Sequence, residues 1–468
     1  MTTQATTLRD KAGARWAALI MIALTMFFAY MFVDVLSPIK TMMEEKMNWS
    51  STLFGTYGGS EFFINVFFGF LIFAGIILDK MGVRFTAILS GCVMVTGAAI
   101  KIYALSPYFN AGGFGFDFLN SFWTTVPPSV KLACVGFAIF GCGTEMGGVT
   151  VSRAIVKWFE GKEMALAMGL EMAIARLGVF AVFWTSPIIA KQFDSVQAPV
   201  IFVGILLCIG LMLYLIYGVM DKKLDKQMAA LSMGGEQTSG DDEAFRFKDL
   251  GKVFGSTMFW IVALLCVLYY SAIFPFQKFA TEMLMSNLGW SEGVASKAFS
   301  MFPVGAMVLT PLLGAFLDKK GKGATMLILG AVLMIVCHGL FALFPFQPGS
   351  TLSSVIAICA IVVLGVSFSL VPAALWPSVP KIIEPKVLGS AYSAIFWIQN
   401  VGLMATPIAI GAILDATNKG LAAGAPKNYT VAMLVFASFG VLALLFGFVL
   451  KAYDARKGYG LELPNIKK

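Results

Sequence analysis

Charge is scarce in this sequence. Of 468 residues only 13% are Asp, Glu, Lys or Arg, about half the share of an ordinary soluble domain, and the one histidine is His338. With so few polar groups a compact fold could not clothe itself for water, so lipid is its natural solvent. The shortage of histidine also leaves little acid–base chemistry. No Ser/His/Asp set, phosphate-cradling glycine loop or metal-ligand cluster can be assembled, so no enzymatic activity, metal or cofactor is expected. The cysteines, Cys92, Cys134, Cys142, Cys208, Cys266, Cys337 and Cys359, each stand alone in an apolar run without a C-x-x-C neighbour. They read as small buried hydrophobes rather than a disulfide or zinc framework.

What is abundant is apolar: 58% of residues are hydrophobic, with 42 Phe and 26 Met. Runs long enough to cross a hydrocarbon core, about 20 residues, fall near 15–39, 53–78, 84–105, 130–155, 164–190, 197–220, 256–279, 294–317, 323–345, 352–378, 387–414 and 429–452. The sequence therefore predicts an all-α integral membrane protein of twelve spans. The first run is too long for a signal peptide and lacks a small-residue cleavage pattern, so it reads as a retained helix. With a cytoplasmic amino terminus, 24 Lys and Arg fall on inner segments, and eight (Lys40, Lys46, Lys131, Lys191, Lys278, Lys297, Lys419 and Lys427) fall outside or at outer helix ends. That asymmetry places both termini in the cytoplasm. The net charge of +8 thus reports topology rather than a nucleic-acid partner. The lipid bilayer and a small-molecule substrate are the expected partners, and a monomer the expected state.

Two loops carry one string. Gly75-Ile-Ile-Leu-Asp79-Lys80-Met-Gly82-Val-Arg84 follows the second run, and Gly314-Ala-Phe-Leu-Asp318-Lys319-Lys320-Gly321-Lys322 follows the eighth. The spacing G-x-x-x-D-K-x-G is the same in both, and the copies lie 239 positions apart, about half the chain. Between them, 221–252 is the one long polar stretch, with Phe245-Arg-Phe-Lys248 opening a short surface helix. The chain is expected to divide into an amino-terminal bundle at 1–220, a cytoplasmic linker at 221–255 and a carboxy-terminal bundle at 256–468. Six plus six helices with a repeated Gly/Asp/basic loop resembles the major facilitator superfamily. That resemblance implies that Asp79, Lys80, Gly82 and Arg84, with Asp318, Gly321 and Lys322 in the second copy, latch one conformation. It also implies two bundles that rock about a central site.

Ionised groups inside a membrane usually face a cavity or a partner, because each costs about 2.5–3.5 kcal/mol at mid-bilayer even on lenient scales. Glu145 lies mid-way along the fourth run with Gly141, Gly148 and Ser152 on its helical face. Arg176 lies at the centre of the fifth, and the short loop Trp158-Phe-Glu-Gly161-Lys162 makes the two helices antiparallel neighbours. Two readings stand: a structural ion pair, or a zwitterion site in which Glu145 takes an ammonium and Arg176 a carboxylate by bidentate hydrogen bonds. The ends of a dipeptide, roughly 6–7 Å apart at the reach of extended chain, could bridge such groups. Tyr30 and Asp34 share one face of the first helix, lining either the cavity or an outer polar patch. Glu61 reads as a gate or helix contact, Glu171 as facing another neighbour, Lys101 as snorkelling outward, and His338 as a packing residue. Tyr269, Tyr270, Trp376, Gln399 and Asn400 are the second-half candidates for the substrate. Among them, Pro377 frees backbone carbonyls beside Trp376.

A narrower resemblance rests on three blocks covering about a third of the chain. They are Phe140 to Glu145 through Trp158 to Gly178; Tyr269-Tyr270 with Phe274-Pro-Phe276; and Ala374-Leu-Trp376-Pro377 with Leu388 to Tyr392 and Ile398 to Leu403. These resemble the lysosomal dipeptide-uniporter branch of the superfamily. That resemblance implies that the acid on helix four holds a peptide's amino terminus and the arginine on helix five its carboxylate, positions matched here by Glu145 and Arg176. It also implies uniport. The Glu-x-x-Glu-Arg/Lys string of proton-coupled peptide carriers is absent from Phe27 to Asp34. The alternative is a proton-coupled symporter or antiporter of organic anions or other small metabolites; anion porters resembling this scaffold place arginines in helices two or eight, where this chain has none, which disfavours the anion reading. The amino terminus shows no acidic dileucine signal, and with the short loops this suggests a bacterial cytoplasmic membrane rather than a lysosome.

Overall fold

The computed structural model describes residues 7–231, 250–384 and 387–464, and these are helical almost throughout. The helices are α1 (Ala12–Asp34), α2 (Lys40–Met47), α3 (Ser51–Ser60), α4 (Phe63–Phe68), α5 (Phe70–Ala104), α6 (Pro107–Asn110), α7 (Phe116–Asn120), α8 (Pro128–Phe159), α9 (Met164–Gln192) and α10 (Gln197–Leu231). They continue as α11 (Leu250–Phe254), α12 (Thr257–Leu288), α13 (Glu292–Phe299), α14 (Met301–Lys320), α15 (Gly323–Leu343), α16 (Thr351–Ile382), α17 (Leu388–Thr417) and α18 (Thr430–Lys457). Serine side chains at Ser50, Ser256 and Ser350 cap α3, α12 and α16 by accepting from backbone N–H groups that would otherwise lack partners.

Among the described residues eleven helices are long and apolar enough to cross a membrane, and the chain is a multi-pass membrane protein. The difference from the expected twelve lies in the second run. It is cut at Glu61–Phe62, cut again at Gly69 (φ 62°), and its remainder is continuous with the third run through a kink at Gly82 (φ 78°, ψ 167°). A polar break inside a membrane segment needs partners in the protein, and the backbone carbonyl of Glu61 lies against Gly141 of α8, where a Cβ would clash with it. The expected linker is helical at its start: α10 runs eleven residues past 220, to Leu231. The Phe245-Arg-Phe-Lys248 string lies outside the described residues.

Helices α1, α5, α8, α9 and α10 pack chiefly on one another, and α12 and α14 to α18 do likewise. Within the first group α5 and α8 meet where Gly97 and Gly136 face each other's backbone, the small-residue contact that lets membrane helices approach closely. The two groups join mainly through α3 on α17 and α9 on α14. A Cβ at Gly55 would strike the Pro407 carbonyl, and one at Gly411 the Ser51 carbonyl. The Asp415 carboxylate caps α3 from the other group, accepting from Ser51 N at 2.9 Å and Thr52 N at 2.8 Å. A carboxylate at a helix N-terminus is favoured by both the free N–H groups and the helix dipole. This joint sits at the end opposite the termini.

Candidate functional site

Glu145 on α8 and Arg176 on α9 are both half-buried. Among the described residues neither forms an ion pair, with each other or with any other group. Arg176 lies instead with its guanidinium 4.9 Å from the centre of the Phe368 ring on α16, a cation–π contact from the other group of helices. The side chain of Asn400 on α17 lies beside Glu145. Tyr30 on α1 has Arg176, Glu171, Glu145 and Glu61 as its charged neighbours, and Tyr270 on α12 has Arg176 and Tyr30 near it. Trp376 on α16 donates to the Tyr270 hydroxyl at 3.2 Å, and its ring stacks on Phe396 at 4.8 Å. Tyr30, Glu145, Arg176, Tyr270, Trp376 and Asn400 are thus drawn to one region between the two groups of helices.

Three other candidates have partners of their own. Tyr269 is fully buried and its hydroxyl donates to the Leu327 carbonyl of α15, because the residue beside Tyr270 on a helix points about 100° away. Gln399 accepts from the Cys266 thiol at 3.2 Å. Asp34 is 3% exposed and held at the end opposite the termini by the Gln277 amide, by Ser37 (3.0 Å) and by Lys278 (3.7 Å). Lys101 does not snorkel: it is 0% exposed. His338 packs edge-on to Phe276 and stacks on Phe436.

The repeated loops share a backbone feature. Gly82 and Gly321 have φ of 78° and 73°, a left-handed turn that any Cβ would strain. In the first copy Asp79 pairs with Arg153 of α8 at 3.0 Å and Arg84 with Asp225 at 3.7 Å, while Lys80 is exposed. In the second copy the carboxy-terminal segment covers the loop: Lys322 N donates to Glu462 O and Gly323 N to Leu461 O, each at 3.0 Å. Asp318 is a charged neighbour of Lys381, which also donates to the Gly460 carbonyl at 3.0 Å.

Sequence reasoning missed the ion pairs that join the two groups. Lys40 reaches Glu282 at 2.6 Å, and Lys427 contacts Glu282 at 3.1 Å and also Glu44. The Tyr429 hydroxyl donates to Glu282 and the Lys40 ammonium to Ser51 (3.0 Å). Lys40–Glu282, Lys427–Glu44 and Lys278–Asp34 are all the ion pairs between the two groups among the described residues, and all lie at the end opposite the termini. Burial lowers the Lys427 pKa, but the neighbouring Glu282 and Glu44 carboxylates outweigh it and hold the ammonium above the ordinary lysine value. Glu282 lies past the expected end of the seventh run at 279, and nothing in the spacing along one helix links it to Lys40 or Lys427.

The family model of the major facilitator superfamily matches residues 22–407 and 272–462. The chain belongs to the major facilitator superfamily. Its relatives include the lysosomal dipeptide transporter MFSD1 of Danio rerio, 27% identical over 96% of this chain and 89% of that protein. The protein of the same name from Homo sapiens is 28% identical over 87% of this chain and 81% of its own length. Among solved structures, the xylose transporter XylE from E. coli in a partially occluded inward-open conformation superposes with a TM-score of 0.65. It is 14% identical and covers 93% of this chain and 99% of that one. The nucleoside transporter NupG superposes at 0.62, with 14% identity over 92% and 98%. Such distant likenesses establish the fold, an all-helical membrane carrier fold. The relatives with matching names are lysosomal, and they lend no support to a bacterial membrane address.

Proposed function

We propose that this protein carries dipeptides or similar small zwitterions across a membrane as a uniporter. The bundles at 1–220 and 256–468 rock about a site between them, joined by the linker at 221–255, with both termini cytoplasmic. The observation that carries this reading is the pair of opposite charges left unpaired at the centre. An acid and a base held half-buried and apart are expensive unless a ligand completes them. Glu145 binds the ammonium, Arg176 the carboxylate by a bidentate contact, and Tyr30, Tyr270, Trp376 and Asn400 wall the space around the side chains. The names of the relatives support the same substrate class.

The test is a thermal-shift screen of purified protein against dipeptides, tripeptides, free amino acids and monocarboxylates. Dipeptides should raise the Tm, and Glu145→Gln and Arg176→Ala should each remove that rise while the variants still melt cooperatively. Stabilisation by a simple anion with no response to dipeptides would contradict the reading. A wild-type response in both variants would make the pair structural.

A further inference from the structure

Beneath the ion pairs that close the end opposite the termini lies a second set of buried charges. Asp34, Glu61, Lys101 and Lys278 are all under 9% exposed and are one another's charged neighbours. Three belong to the amino-terminal group of helices: Asp34 to α1, Glu61 to the break after α3, and Lys101 to α5. Lys278 alone comes from α12. Asp34 has its cation in Lys278 and a further donor in Gln277, also from α12. One carboxylate oxygen of Glu61 has no hydrogen-bond partner.

Lys101 is arranged differently. It is 0% exposed, yet among the described residues no carboxylate lies within 4.0 Å of its Nζ. The ammonium sits in an aromatic cage, 4.2 Å from the Phe32 ring centre, 4.8 Å from Phe137 and 5.0 Å from Tyr57. It also donates to the Phe32 carbonyl at 3.4 Å, two residues before Asp34 on the same helix. Lys278 approaches the same Phe137 ring, at 5.5 Å. Three aromatic faces offset part of the desolvation of an ammonium, but less than a carboxylate would. No direct contact with an acid holds the cation there in the closed arrangement, where it neighbours Glu61 and Asp34 at longer range.

Opening this end requires a cation beside Asp34. As the two groups of helices separate, α12 withdraws Lys278 and Gln277 together, and Asp34 is left a buried carboxylate with neither. Lys101 is the one base of the four that stays on the same side as both acids. We propose that Lys101 is the standby counter-ion of Asp34: it waits in the Phe32/Tyr57/Phe137 cage while Lys278 holds Asp34, and takes over the carboxylate when α12 moves away. The exchange conserves charge, so this end opens without uptake of a proton, which is how a uniporter differs from a symporter on this scaffold. The inference rests on the alternating-access reading above.

The experiment is counterflow of a labelled dipeptide in proteoliposomes, run first on the wild type. No counterflow there would sink the transport reading itself and leave no exchange for Lys101 to serve. Given wild-type counterflow, Lys101→Met should lose transport by at least about tenfold, because opening now strands a buried charge. Adding Asp34→Asn to that chain should restore most of it, since the amide needs no cation. A structural role for Lys101 would not be rescued at Asp34. In a background lacking the seven cysteines, a single cysteine at the half-buried Thr56 on α3 reports opening by its labelling from outside. Labelling should fall in Lys101→Met and rise in Lys278→Met. Wild-type transport in Lys101→Met, failure of Asp34→Asn to rescue, or shifts of the same sign in both lysine variants would each overturn the proposal. If Lys101→Met does not fold, the Lys101→Met/Asp34→Asn chain should fold and transport; failure of that chain overturns it too.

Discussion

Arg176 and Glu145 show how a single residue acquires meaning from what it lacks. Both are half-buried and neither has an ion-pair partner among the described residues, whereas the buried bases Lys40, Lys278 and Lys427 all contact acids. The Arg176 guanidinium lies over the Phe368 ring, and its N–H donors make no ion pair among the described residues. Lysine keeps the charge but not the planar fork. Arg176→Lys should therefore weaken dipeptide binding about tenfold or more without lowering the melting temperature of the ligand-free protein, as measured by titration in the thermal-shift assay. Equal affinity would mean that only the charge matters at this position. Both residues were legible in the sequence, because a charge in the middle of an apolar run is conspicuous. Asp34, Tyr269 and Gln399 stand in apolar runs too, and each has a partner of its own. Their rotation about the helix and their depth depend on which neighbour packs where, which spacing along one helix does not contain.

At the scale of elements, the joint between α3 and α17 closes the end opposite the termini. It is built from backbone proximity: Gly55 and Gly59 of α3 meet the Pro407 and Met404 carbonyls, and Gly411 of α17 meets Ser51. Asp415 adds a cap across the joint. Gly55→Val would place a branched side chain where backbone stands, and overpacking of this kind costs about 1–3 kcal/mol. That cost falls on the closed arrangement alone. The variant should fold, label more readily from the opposite end at the Thr56 cysteine position, and transport more slowly; unchanged labelling would show that the joint is not closed in the resting protein. The repeated loops share a positive φ at Gly82 and Gly321. The second run was read as one helix, because its break at Glu61–Phe62 carries no proline and only the contact with Gly141 explains it.

For the whole molecule, every ion pair between the two groups of helices among the described residues lies at one end. The arrangement is therefore closed opposite the termini, and opening it demands that Glu282 give up Lys40 of the other group while keeping Lys427 of its own. Glu282→Gln leaves Lys40 and Lys427 buried with only Glu44 near, a loss of about 3–5 kcal/mol when one partner of a buried pair is removed. The closed arrangement should become the minor one, seen as increased labelling from that end together with a lower melting temperature. No change in either would place the closing energy in the α3–α17 joint instead. Such clusters escape sequence reading because their members are far apart in the chain, with Lys40 and Glu282 separated by 242 positions. Each alone resembles an ordinary charge at a helix end.

The central claim is that a dipeptide is held by both its ends and moves without a proton. Counterflow of a labelled dipeptide in proteoliposomes carrying an internal pH dye tests both parts at once. The account predicts that free dipeptides compete, that dipeptides with an acetylated amino terminus or an amidated carboxy terminus compete at least about tenfold less well, and that the interior does not acidify as substrate enters. Equal competition by the capped compounds, or acidification in step with uptake, would contradict it.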